Sequence, residues 1–249
     1  MRPLRGLCCG VELLRRLTVI LAVCYPLLVH AAVISRSPTL TAASLAWLCA
    51  LIFLPALARG NALAWFAALA AAAAATVAPL MHQSWLWLPL YVPSVLADFF
   101  GAWIFGHTLA SGRVPLISRL VHLLHPSEQA IEPAVLSYAR RLTLAWALLL
   151  LTLGIANLLL ACCAAPNGVL LLLGFAPPFT VPQRTWSVFA NLLEYVIVVS
   201  FFLLEYAYRR RRFPQQPYPN MIEFMRRMLA VAPRAVAWRT TPGSAGDGA

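Results

Sequence analysis

The sequence predicts an all-α, polytopic membrane protein with six transmembrane helices and both termini in the cytoplasm. Three observations predict it. Of the 249 residues, 61% are apolar and only 11% are charged, whereas soluble domains carry roughly 25% charged residues. Apolar runs near the ~20 residues that a bilayer requires recur along the chain. The formal charge of +11 rests on arginine, since no lysine is present, and the arginines sit beside the apolar runs. That placement fits insertion topology and anionic headgroups, and it argues against a nucleic-acid partner.

Residues 1–16 form a basic cytoplasmic lead with Arg2, Arg5, Arg15 and Arg16. The first span is 17–34, with His30 toward its outer end. A basic start before an apolar run also describes a signal peptide, with Ala31 and Ala32 at the cleavage site. The length of the run and the spans that follow favour a retained helix. The second span is 40–58, and Arg59-Gly60-Asn61 makes a tight turn. The third, 62–80, is alanine-rich, which permits close helix contact. The fourth, 85–106, opens on Trp85 and Trp87 as interface anchors and carries Asp98. Pro89 and Pro93 should kink it.

Residues 107–141 form a cytoplasmic connection. Within it Pro115–Leu124 reads as an amphipathic helix at the headgroup level. The fifth span is 142–163, with Asn157 in its outer half. In the outer apolar loop, 164–184, prolines 177, 178 and 182 prevent a long helix, and Val169 to Phe175 is too short to cross. The loop is expected to be interfacial or partly re-entrant. The sixth span, 185–208, is closed by Arg209-Arg210-Arg211-Arg212. The tail, 209–249, holds a membrane-surface helix at about 221–231, capped by Asn220.

Arginine then assigns sides. Six spans put both termini together, and on that side fall seventeen arginines; only Arg36 and Arg184 fall opposite. Cationic loops stay cytoplasmic, so the termini do too.

Polar residues at hydrocarbon depth come next. With about 1.5 Å of rise per residue, Glu194 and Asn157 lie roughly 21–22 Å, and His30 roughly 20 Å, from the cytoplasmic ends of their spans. Asn191 lies one turn from Glu194. These four side chains on three helices are expected to converge. Asp98 belongs to the same intramembrane polar set, opposite a stripe of Asn191, Glu194, Val198, Phe201 and Glu205. An intramembrane ionisable group marks a partner or a function, although such groups also serve as hydrogen-bonding glue between helices. Glu205 precedes Arg209 by four residues, the spacing of a helical ion pair.

Other chemistry finds little purchase. The cysteine pairs Cys8-Cys9 and Cys162-Cys163 have no metal-ligand spacing, nor do His107, His122 and His125. No metal site and no cofactor is expected. There is no Ser-His-Asp set, phosphate loop or dinucleotide fingerprint, and an enzyme is the less favoured reading.

Two stretches carry a resemblance. One runs Phe105-Gly106-His107-Thr108-Leu109, Gly112 to Arg119, and Tyr138 to Ala147. The other runs Trp186-Ser187-Val188-Phe189-Ala190-Asn191 and Glu205 through Arg209 to Pro214. Together they resemble a family of small bacterial inner-membrane proteins found among genes for aryl-polyene and xanthomonadin-type pigment synthesis, some labelled ketosynthase. The resemblance covers roughly the carboxy-terminal 60% of the chain. Where the family pattern has an acidic residue, this chain has Val114. A ketosynthase needs a nucleophilic Cys with two His in a soluble fold, and no cysteine here has that context. The resemblance therefore implies a pathway rather than a reaction.

The expected function is that of an inner-membrane accessory in the biosynthesis or membrane delivery of an aryl-polyene-like polyketide lipid. The alternatives are a small lipid or pigment transporter or flippase, and an integral-membrane acyl-transfer enzyme. Membrane lipids are expected partners. Acyl-carrier or synthase partners would dock on Arg113, Arg119, Arg140, Arg141 and Arg209 to Arg212, which also face lipid headgroups.

Overall fold

A computed structural model describes residues 4–57, 65, 87–124, 131–213 and 221–236. The chain is mostly helical. The helices are α1 (Leu4–Ser35), α2 (Pro38–Leu57), α3 (Leu88–His107), α4 (Leu116–Leu124), α5 (Pro133–Cys163), α6 (Val169–Leu172), α7 (Gln183–Val188), α8 (Glu194–Arg212) and α9 (Met221–Val236). A π-helical turn, Phe189–Leu193, joins α7 to α8. Two-residue strands β1 (Ala164–Ala165) and β2 (Val181–Pro182) pair in parallel, Ala164 opposite Val181.

Three described helical runs are long and apolar enough to cross a membrane: Leu88–His107, Pro133–Cys163 and Gln183–Arg212. The apolar segments Ile20–Ser35 and Thr39–Phe53, within α1 and α2, are shorter. The expected third span, 62–80, lies outside the described residues, as do the turn at 59–61 and the proposed cap Asn220. The outward faces of the long helices are apolar. Val92, Leu96, Phe100 and Trp103 on α3 are exposed at helical spacing, as are Leu144, Leu148, Leu151 and Ile155 on α5. Stripes of this kind suit hydrocarbon rather than water.

Some element boundaries differ from expectation. The basic lead is helical from Leu4, so α1 runs through Arg15 and Arg16. The fifth helix starts at Pro133 rather than 142. Proline suits a first helical turn, where its missing N–H costs nothing, and Glu132 O accepts from Val135 N and Leu136 N. Arg140 and Arg141 are thus helical. The tail helix continues to Val236.

The chain forms two compact units. The first comprises residues 1–95 and 155–199. Here Arg36 takes a left-handed φ of 49° between α1 and α2. Ser37 accepts from Leu40 N at its side chain and from Thr41 N at its carbonyl, with Pro38 as the first residue of α2. This is a hydroxyl cap followed by proline, a strong helix-start combination. Trp47 Nε1 donates to Leu21 O at 2.9 Å, fixing α2 on α1. The buried core gathers Val29, Val33, Leu45, Trp87, Leu90, Tyr91, Ala161, Trp186 and Ala190.

The second unit comprises residues 96–154 and 200–249. Small residues let α3 and α5 approach: a Cβ on Gly154 would lie 3.0 Å from Asp98 Cβ, and one on Gly101 2.9 Å from Leu150 Cδ1. Trp146 stacks with Phe105 and meets Phe201 edge-on. Two hydroxyls cap the amino end of α4. Thr108 Oγ1 accepts from Leu116 N at 3.0 Å, and Thr143 Oγ1 accepts from Ile117 N at 3.3 Å. The first N–H groups of a helix have no partner of their own, so these two threonines fix where α4 begins. Thr143 is fully buried. Thr143→Val, nearly the same shape, should cost about 1–3 kcal/mol by stranding the Ile117 N–H; the thermal midpoint in detergent measures it.

The amphipathic helix α4 matches its expected residues, but it does not lie bare at a surface. Helix α9 packs on it, and Leu116, Ser118 and Arg119 are buried.

Candidate functional site

The site grows from the third membrane-length run. Trp186 and Ser187, both 0% exposed, lie in the last turn of α7, which ends at Val188, and the π turn follows. A π turn inserts one residue into the helical register and frequently marks a functional position. Asn191 lies within this turn and Glu194 just after it.

Two hydrogen-bonded chains meet around this segment in the first unit. In one, Trp186 Nε1 donates to Asn157 Oδ1 at 3.0 Å, and Asn157 Nδ2 donates to Glu194 Oε2 at 3.4 Å. In the other, His30 Nδ1 and Ser187 Oγ share a bond of 3.0 Å, and Asn191 Nδ2 donates to Ser187 O and Oγ at 3.1 and 3.3 Å. Trp186 meets the Tyr91 ring edge-on, with centroids 4.3 Å apart. The Tyr91 hydroxyl donates to Asn167 O at 3.1 Å, and Asn167 Nδ2 donates to Gln183 Oε1 at 3.2 Å.

The structure therefore brings Glu194 directly to Asn157. It brings His30 and Asn191 to a shared serine rather than to Glu194. Asp98 belongs to the second unit, where it is 2% exposed. The stripe expected on the last apolar run is legible in burial: Asn191, Glu194, Val198, Phe201 and Glu205 are buried or half-buried, while Leu193, Val196, Val199 and Leu204 are exposed.

Trp186, Ser187, Tyr91, Asn167 and Gln183 are members that sequence reasoning did not single out. Two carried a signal. A buried indole N–H needs an acceptor, and Ser187 stands four residues before Asn191, the spacing of neighbours on a helix face.

The apolar loop 164–184 is rooted on this network. Gly168 fits against Ala164 so closely that a Cβ would lie 2.2 Å from Ala164 O. Beyond that root, Leu171, Leu173, Phe175 and Phe179 are exposed, with no charged residue between them.

The arginines of the second unit divide into two kinds. Arg113, Arg140, Arg141, Arg210, Arg211 and Arg212 are exposed. Arg119 is reassigned: it is 4% exposed, and its guanidinium donates to Val114 O at 2.8 Å and Ala235 O at 3.1 Å. Ala235 lies in the last turn of α9, whose carbonyls lack helical partners and favour a cation. Arg119 thus closes α9 onto α4. Burial lowers its pKa, with Arg113 adding to the effect, but a guanidinium stays charged. Arg209 pairs with Glu205 at 3.0 Å, and Glu205 also accepts from the Tyr138 hydroxyl at 3.2 Å.

Among the described residues no three His, Cys, Asp or Glu side chains group to hold a metal ion. Cys24, Cys49, Cys162 and Cys163 are free thiols. Chemically the network can hold helices together, and it places one carboxylate against an amide.

Fold and network together define a mostly helical protein with three described helical runs long and apolar enough to cross a membrane and a hydrogen-bonded set of buried polar residues. No protein-family model matches the chain, and no curated protein or solved structure is significantly similar to it.

Proposed function

We propose that the chain is a multi-pass protein of a bacterial inner membrane, threaded six times with both termini in the cytoplasm. It assists synthesis or membrane delivery of an aryl-polyene or xanthomonadin-like polyketide lipid. The observation that carries this reading is the basic set of the second unit, in which Arg113, Arg140, Arg141, Arg210, Arg211 and Arg212 are all exposed. Cations of one sign offer a steering surface to an acidic acyl-carrier or synthase partner. The resemblance supplies the pathway. Its residues make many of the internal contacts, among them Thr108, Arg119, Thr143, Trp186 and Ser187.

A second reading, transport of the lipid, is favoured by one feature. Glu194 is half-buried beside a π turn, within a helical run apolar and long enough to cross a membrane, and an ionisable group inside such a run commonly lies on a path.

Pigment extracted from whole cells separates the two. Glu194→Gln keeps an acceptor for Asn157 and removes only the charge. Arg113→Ala removes an exposed cation. Docking predicts pigment lost with Arg113→Ala and retained with Glu194→Gln; transport predicts the reverse. Mass spectrometry of lipids from a deletion strain adds the stage. Absence of polyene supports synthesis, and finished polyene trapped in the inner membrane supports delivery. Unchanged pigment in the deletion strain would remove the pathway assignment.

A further inference from the structure

Helix α9 has two apolar faces, and only one is covered. Its buried or half-buried residues Met225, Met228, Ala232 and Ala235 recur at helical spacing, and the helix packs against α4. On another side Ile222, Leu229 and Val236 are 80%, 65% and 52% exposed. Their seven-residue spacing sets them in one stripe, two turns apart. Arg226, Arg227 and Arg234 are exposed beside it. Sixteen residues make a helix of about 24 Å, too short to cross a bilayer.

We infer that α9 is an interfacial lipid-binding helix. Ile222, Leu229 and Val236 seat among the acyl chains of the leaflet at the tail's side, and Arg226, Arg227 and Arg234 bind anionic phospholipid headgroups. The inference does not depend on the pigment reading.

Charge and continuity select a lipid surface. An apolar stripe flanked by cations matches acyl chains below anionic headgroups. The same unit already presents Leu96, Phe100 and Trp103 outward on α3. Arg227 also holds Glu223 at 2.7 Å, which keeps that carboxyl below its ordinary range. The one acid on the helix is thereby matched within the helix. The Arg119 bond to Ala235 O and the packing on α4 hold α9 in place. The covered face thus sets which face remains for lipid.

The test uses the full chain in nanodiscs of phosphatidylcholine, with or without phosphatidylglycerol. Leu229→Cys, in a background with the native cysteines replaced by alanine, carries an environment-sensitive fluorophore. Nitroxide lipids labelled near the headgroup quench it. Strong quenching is expected with phosphatidylglycerol and weaker quenching without it. Arg226→Gln with Arg227→Gln should lower the ratio of inserted to free helix about thirtyfold in the anionic discs. Ile222→Ser should reduce insertion in both kinds of disc. A label exposed to water in both lipids, or burial of the label only when an acidic soluble protein is added, overturns the inference. Quenching indifferent to phosphatidylglycerol overturns its anionic part.

Discussion

Trp186→Ala is expected to lower stability by about 3–5 kcal/mol, the range for truncating a large buried aromatic side chain. Trp186 is fully buried. Three things go at once: the ring volume, the edge contact with Tyr91, and the indole donor to Asn157. Trp186→Phe separates them. It keeps most of the volume but takes the indole donor from the buried Asn157 Oδ1, so about 1–3 kcal/mol should go. Heat-induced loss of the monodisperse protein in detergent measures both. Equal midpoints for Trp186→Ala and the parent would mean that Trp186 does not organise the first unit.

Gly168→Ala should also destabilise the first unit, for a different reason. Its backbone, φ −68° and ψ 157°, is one that alanine adopts freely. Space is the obstacle. The new methyl would lie 2.2 Å from Ala164 O and 2.8 Å from Ala164 N. Ala164 is itself fully buried and paired with Val181, so it has little room to retreat. Overpacking of this kind costs about 1–3 kcal/mol, sometimes more. Gly106→Ala is the control. Among the described residues its methyl would meet Ala147 Cβ alone, at 4.0 Å, and alanine for glycine in a helix gains about 0.5–1 kcal/mol. If the two variants melt alike, the loop is not rooted where its backbone suggests.

The sequence made the helices legible wherever hydropathy and end signals agreed. Leu88–His107 and Leu116–Leu124 fall within a few residues of their expected limits. Hydropathy was blind to helix that continues beyond the apolar run. Leu4–Arg16 and Pro133–Arg141 are helical although their arginines end the hydrophobic signal, because backbone hydrogen bonding does not stop where hydrocarbon does. Depth arithmetic found the Glu194–Asn157 meeting, since rise per residue is nearly constant. It placed His30 beside Glu194 in depth but could not supply Ser187 as the partner. That pairing depends on how each helix is rotated, and a π turn alters the rotation without leaving a mark in composition. Amphipathic patterning places Arg119 at the surface with the other arginines. Instead, α9 covers that side of α4 and offers it an unpaired helix-end carbonyl.

The proposed threading can be tested at the carboxyl terminus. A short epitope tag there, in spheroplasts treated with protease, reports the side on which Arg209 to Arg212 and α9 lie. Arginine distribution predicts a tag that survives until the membrane is permeabilised. Removal of the tag from intact spheroplasts would contradict the six-span threading and, with it, the docking face and the leaflet assigned to α9.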